Sequence, residues 1–263
     1  MFAVAVMTPF FFVGFDVVPQ TAGEADVSMR FLGMVISVSV AFAALFYIAV
    51  IWAAGSSVPT ATLADSTLPA AKAMAIVYGS DVAGTVMALA GLAGILTSWN
   101  GFILGASRAI YALAESHMLP DQLARVHSKY NTPSNAVLLV GFVAGLAPLF
   151  GEQMLVWVVN AGGFGLVIAW VMVVISFFVL RRREPEMDRP FRLPAGRFIG
   201  GVALLLSLFF VTLYLPGSPL ALAWPYEWGI IVGWILLGVG LIAINGGLPA
   251  QSEAEVHMLE QSD

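Results

Sequence analysis

Thr8-Pro9-Phe10-Phe11-Phe12-Val13-Gly14-Phe15-Asp16-Val17-Val18-Pro19-Gln20-Thr21-Ala22-Gly23-Glu24 is the stretch on which the reading of this chain turns. It is apolar enough to enter a bilayer, yet its middle holds a glycine, a carboxylate and then a proline. Pro19 has no N–H to donate, and its ring clashes with the carbonyl four residues back, at Phe15. Gly14 relaxes the backbone just before that point. Together they predict a helix that is interrupted at mid-membrane. Lipid does not hydrate freed peptide groups, so the interruption is expected to face a protein-lined cavity. Asp16 lies at the same depth. A carboxylate at a helix centre costs about 2.5–3.5 kcal/mol on insertion scales and marks a functional site by default. The plainer alternative is a proline kink with Asp16 hydrogen-bonded to a neighbouring helix.

The rest of the chain has the composition of a membrane protein. It is 263 residues long, 60% hydrophobic and 10% charged, with a mean hydropathy of +0.92. Soluble domains carry about 25% charged residues, so this chain lacks the charge to cover a water-facing surface. Cysteine is absent, which excludes disulfides and thiolate metal sites. The net charge of −5 carries little information, because the acids gather in loops and the C-terminal tail. No basic region precedes the first apolar stretch, so a cleaved signal peptide is not expected.

A spanning helix needs about 20 mostly apolar residues. Seven stretches qualify, near 1–22, 31–54, 80–112, 134–150, 153–180, 198–215 and 226–246, the fourth close to the lower limit. The 55–79 connection is a loop with a short helix expected around Ala70 to Val77. Residues 1–248 form the membrane domain, and 249–263 read as a disordered cytoplasmic tail. Alternating the sides of seven spans puts ten of the eleven Lys/Arg residues on one face; the exception is Lys72. The positive-inside rule makes that face cytoplasmic, including the 117–132 connection and the Arg-rich 181–197 connection. Gly101 and Gly105, Gly141 and Gly145, and Gly229 and Gly233 have the four-residue spacing that favours close helix approach.

Three motifs, in order, resemble one family. Gly14-Phe15-Asp16 followed by Glu24 is similar to the sixth helix of amino acid permeases of the amino acid–polyamine–organocation superfamily. Ser98-Trp99-Asn100-Gly101-Phe102-Ile103-Leu104-Gly105-Ala106-Ser107-Arg108, running on to Leu119-Pro120 and Thr132-Pro133, resembles their eighth helix and the loop after it. Arg189-Pro190-Phe191-Arg192 resembles their loop between helices ten and eleven. Gly23-Glu24 departs from the pair of acids that family members usually carry there. The resemblance implies an all-α membrane protein with a LeuT-like inverted-repeat fold. Its seven transmembrane helices would be the second repeat plus two extra helices, the first of them discontinuous. Members have about twelve helices in this broken-helix design, so the chain is expected to be a fragment that lacks the first five.

The resemblance also implies a site. Phe10, Gly14, Phe15 and Asp16 match sixth-helix positions that line the central cavity, with Phe10 as an aromatic lid. Trp99 matches a position set against the substrate side chain, and Asn100 lies beside it. Asn160, next to Gly162 and Gly163, is a further cavity candidate. Asp16 is the candidate coupling residue, with a proton or sodium as the coupling ion. The implied function is secondary active transport of amino acids, by symport or antiport, in the cell membrane. A polyamine or organic-amine permease is the alternative within the class. A non-transporting membrane subunit or a membrane-embedded enzyme is the alternative outside it. His117, His127 and His257 all lie in loops or the tail, so no span pairs a histidine with Ser107, and no zincin or phosphate-binding motif is present. Implied partners are the amino acid or amine, the lipid bilayer, and the missing N-terminal helices or a complementary chain. No cofactor, metal or nucleic acid is expected.

Overall fold

The computed structural model describes residues 8–20, 22 and 27–244, and they are helical, with no strand among them. Thr21, Gly23, Glu24 and the 249–263 tail lie outside the described residues. Two compact units are present. One is Gly14–Gly105; the other comprises the residues up to Val13 and those from Ala106 onward.

The Gly14–Gly105 unit begins with a short helix, α1 (Val17–Gln20), followed by α2 (Met29–Ser57). Ser28 starts α2 by accepting a hydrogen bond from the Phe31 amide at 3.2 Å, the usual work of an N-cap. Val58 leaves the helix in an extended conformation and Pro59 follows it. Two short helices, α3 (Thr60–Ala64) and α4 (Pro69–Tyr78), then make the connection, where a single short helix was expected. Proline at the start of α4 and left-handed Gly79 at its end fix its length. The long helix α5 (Asp81–Glu115) follows and runs on into the other unit. Within these apolar helices the hydroxyls bond back to carbonyls of the preceding turn. Ser37 reaches the Gly33 carbonyl at 2.9 Å, and Thr97 reaches that of Ala93 at 2.9 Å. This satisfies each hydroxyl without a partner helix.

The second unit contains the last part of α5, then α6 (Ser134–Leu146), α7 (Gly151–Arg183), α8 (Gly196–Tyr214) and α9 (Tyr226–Ile244). Among the described residues a hydrophobic core lies among α7, α8 and the start of α9. Val167 and Tyr214 are fully buried, Leu222 nearly so, and Phe164, Trp170, Phe210 and Trp228 surround them. Phe164 meets the Tyr214 ring edge-on at 5.7 Å. Glycines set how close α8 can come. A Cβ at Gly163 would lie 2.8 Å from the Tyr214 hydroxyl, and one at Gly200 would lie 2.9 Å from the Phe177 ring.

Among the described residues five helices are long and apolar enough to span a bilayer: Met29–Ser57, Asp81–Glu115, Gln153–Arg183, Gly196–Tyr214 and Tyr226–Ala243. Two of the seven expected segments differ. The segment at 134–150 is a thirteen-residue α-helix that tightens into a 3-10 turn over Ala147–Phe150. Pro148 lies in that turn, where its missing N–H breaks the α-helical ladder. The first segment is not one helix, as described below. The glycine spacing also predicted too much. Of Gly101, Gly105, Gly141, Gly145, Gly229 and Gly233, only Gly105 has a neighbour that its missing Cβ would meet. The helix surfaces are otherwise open: Phe42, Ile51 and Trp52 of α2 are 67–74% exposed. Such contiguous apolar exposure needs lipid or further helices against it.

The Gly163–Tyr214 approach is directly testable. Gly163→Ala should lower the unfolding midpoint, by about 1–3 kcal/mol of overpacking, whereas Gly162→Ala, which has nothing within 4 Å, should not. Tyr214→Phe removes the hydroxyl that the new methyl would meet. Thermal unfolding of the double variant should therefore show less than the summed loss of the two single changes.

Candidate functional site

The first segment is broken where glycine, acid and proline meet. Residues 8–11 are helical, 12–16 form turns, and α1 resumes at Val17. Across the break the backbone bonds run three residues back instead of four. Val13 donates to Phe10 at 3.2 Å and Val17 to Gly14 at 3.2 Å. Gly14 has φ of +125°, a conformation closed to side-chain-bearing residues. Asp16 fixes this geometry itself: the Gly14 amide donates to its Oδ1 at 2.8 Å. The carboxylate thus replaces the carbonyl that a regular helix would have offered. The interruption is present as expected, and one oxygen of Asp16 serves its own turn and not a neighbouring helix. The other oxygen accepts no hydrogen bond among the described residues. Gly14, Phe15 and Asp16 are half-buried, and Phe10 is exposed.

α1 is seated on α5 through Gly105. A Cβ there would lie 2.7 Å from Gln20 Oε1 and 2.9 Å from Val17 Cγ2. Trp99 and Asn100 sit one to two turns earlier on α5 and are exposed. Neither makes a hydrogen bond or ring contact with another described residue. The Gly14–Gly105 unit therefore holds Gly14, Phe15, Asp16, Trp99 and Asn100, while Phe10 and Asn160 belong to the other unit.

Asn160 has a partner that sequence reasoning missed. Its Nδ2 donates to Oε1 of Glu227 at 2.7 Å, and the Ala223 amide donates to the other oxygen at 2.6 Å. Glu227 is only 4% exposed. Its own amide donates back to the Ala223 carbonyl at 3.0 Å, so the two residues close the first turn of α9 reciprocally. Close by, Trp157 of α7 stacks on Tyr226 of α9, centroids 4.2 Å apart and planes 3° from parallel. A carboxylate only accepts hydrogen bonds, so Glu227 dictates which end of the Asn160 amide faces it. The Asn160 carbonyl oxygen is left pointing away, as an acceptor. A signal existed in the sequence: Glu227 is an acid in the first turn of an otherwise apolar span.

Chemically, the arrangement offers hydrogen-bond acceptors and aromatic surface. Among the described residues no group of three or more His, Asp or Glu side chains could hold a metal ion.

Comparison with known proteins gives the class. The family described as "Amino acid permease" matches residues 1–241. The branched-chain amino acid permease BcaP of Bacillus subtilis is 27% identical over 91% of this chain and 49% of its own length. The methylthioribose transporter of Bacillus subtilis is 27% identical over 87% of the chain and 47% of its own length. The aromatic amino acid transport protein AroP of Corynebacterium glutamicum is 27% identical, covering 91% and 53%. The chain thus spans about half the length of the curated relatives it matches. A match across so much of the chain, with apolar helices of membrane length beneath it, identifies a multi-pass cell-membrane protein: the chain belongs to the amino acid permease family.

Proposed function

We propose that this chain forms the second half of a secondary active transporter for amino acids, working with a further set of five helices on the same polypeptide or on a separate one. The observation that carries the proposal is the interruption at Gly14–Asp16, in an apolar segment where unsatisfied peptide groups would be costly. The family match and the double length of the relatives support it. Seven membrane segments, the first discontinuous, make up the second inverted repeat and two additional helices of a LeuT-like fold. Transport proceeds by alternating access.

In this reading the substrate's ammonium group meets the uncommitted oxygen of Asp16. Phe10, Phe15 and Trp99 supply apolar surface for the side chain, with Phe10 as lid. Asn100 and the outward-facing oxygen of Asn160 complete the polar contacts. Asp16 is also the residue that responds to the coupling ion, a proton or sodium. The aromatic set suits a neutral, apolar amino acid better than a polyamine, which would need acids at both ends. Two of the relatives carry branched-chain and aromatic amino acids in their names, in line with that preference.

Proteoliposomes containing this chain alone should accumulate no labelled leucine above empty vesicles; uptake by the chain alone contradicts the two-part reading. With the complementary helices supplied, leucine should bind, and Asp16→Asn should weaken binding about tenfold or more, the worth of a hydrogen bond to a charged group. Unchanged affinity would remove Asp16 from the site. Glu227→Gln should leave the thermal midpoint nearly unchanged, because a glutamine can satisfy both Ala223 and a turned-over Asn160. It should nonetheless reduce leucine affinity, because Asn160 then presents N–H groups to the ammonium. A fall in stability with affinity intact would make Asn160 purely structural.

A further inference from the structure

The arginines between α7 and α8 do two different jobs. Arg189 is turned inward on the backbone. Its guanidinium donates to the carbonyls of Met187 at 2.7 Å, Glu184 at 2.7 Å, Pro185 at 3.2 Å and Leu180 at 3.4 Å. It therefore folds the loop that follows α7 around its guanidinium, with one longer contact back to the last turn of the helix. Arg181 lies 4.2 Å above the Phe177 ring, and Gly196 leaves room for its guanidinium. Both of these arginines are half-buried.

Arg182, Arg183, Arg192 and Arg197 are exposed. Glu184, Glu186 and Asp188 are interleaved with them, yet no ion pair joins any of these acids to an arginine among the described residues. The only hydrogen bond that these four side chains make to described residues is a 3.4 Å contact from Arg192 Nε to the Arg189 carbonyl. Their position matters as much as their freedom. α7 ends at Arg183 and α8 begins at Gly196, so the four cations ring the ends of two membrane-length helices. Leu180, Phe191, Leu193 and Phe198 are exposed among them. Exposed apolar side chains beside long cationic ones at the ends of membrane-length helices suit a bilayer interface.

We propose that this rim binds anionic phospholipid headgroups: Arg182, Arg183, Arg192 and Arg197 hold lipid phosphates, while Arg181 and Arg189 shape the loop that presents them. The positive-inside bias assigns the rim to the cytoplasmic leaflet, which is the anionic one. Each free arginine should favour the anionic lipid roughly fivefold, and salt should weaken the preference. This inference does not depend on the transported substrate.

The test uses the whole chain in nanodiscs of phosphatidylcholine doped with phosphatidylglycerol, with native mass spectrometry counting the lipids that stay bound. Wild type should retain phosphatidylglycerol well above its share of the bilayer. The Arg182→Gln, Arg183→Gln, Arg192→Gln, Arg197→Gln combination should lose that enrichment by more than about tenfold, while the same four changed to Lys should keep most of it. The pairs Arg182→Gln/Arg183→Gln and Arg192→Gln/Arg197→Gln give intermediate losses and serve where the fourfold variant does not fold. Enrichment that survives in both pairs overturns the proposal. So does enrichment abolished equally by soluble inorganic phosphate, which would mean an anion site with no lipid preference, or retention of an acidic polypeptide with no enrichment of phosphatidylglycerol.

Discussion

A peptide group without a hydrogen bond costs several kcal/mol in hydrocarbon, and three irregular points among the described residues are held by charged side chains that bond to backbone. At the first segment Asp16 lends an oxygen to the Gly14 amide. At the start of α9 Glu227 does the same for Ala223. At the end of α7 Arg189 supplies N–H groups to four carbonyls. At the first two a carboxylate stands in for a missing backbone acceptor, and at the third a guanidinium ties down the carbonyls of the loop that follows the helix. Charged hydrogen bonds are the strong ones, which suits charged side chains to these positions. Serine and threonine manage the same problem inside regular helix by bonding to the preceding turn.

The same constraint connects fold to function. A membrane helix gains nothing from a break unless something polar visits the break. The interruption at Gly14–Asp16 combines one committed carboxylate oxygen and one uncommitted among the described residues. Such a group both holds a conformation and remains able to meet a cation. The Asn160–Glu227 bond has a comparable double character. It ties α7 to α9 across 67 residues of sequence, and it orients an amide whose other end is left available.

What could be read from the sequence follows from what is local. Apolar length defined α2, α5, α7, α8 and α9 to within a few residues, because hydrocarbon thickness sets that length. The break at Gly14–Asp16 was legible because glycine and proline act on their own turn. The Asn160–Glu227 pair was not, since each residue alone reads as an ordinary polar position, and only the packing of α7 on α9 joins them. Arg189 read as one more cytoplasmic charge, because its role depends on how the loop folds back upon α7. The glycine pairs misled for the opposite reason. Their spacing is local, but a small residue permits close approach without requiring it, and five of those six glycines face open space. Trp99 and Asn100 are exposed on α5 with no bond to fix them, so their part in the site rests on the family resemblance.

The chain has no cysteine, which makes the decisive measurement clean. Phe15→Cys, in the chain joined by its complementary helices in a native-like bilayer, should react with a membrane-impermeant thiol reagent, and saturating leucine should slow that reaction. Labelling only by a lipid-soluble reagent, unaffected by leucine, would show that the broken segment faces hydrocarbon and would contradict a solute-facing break.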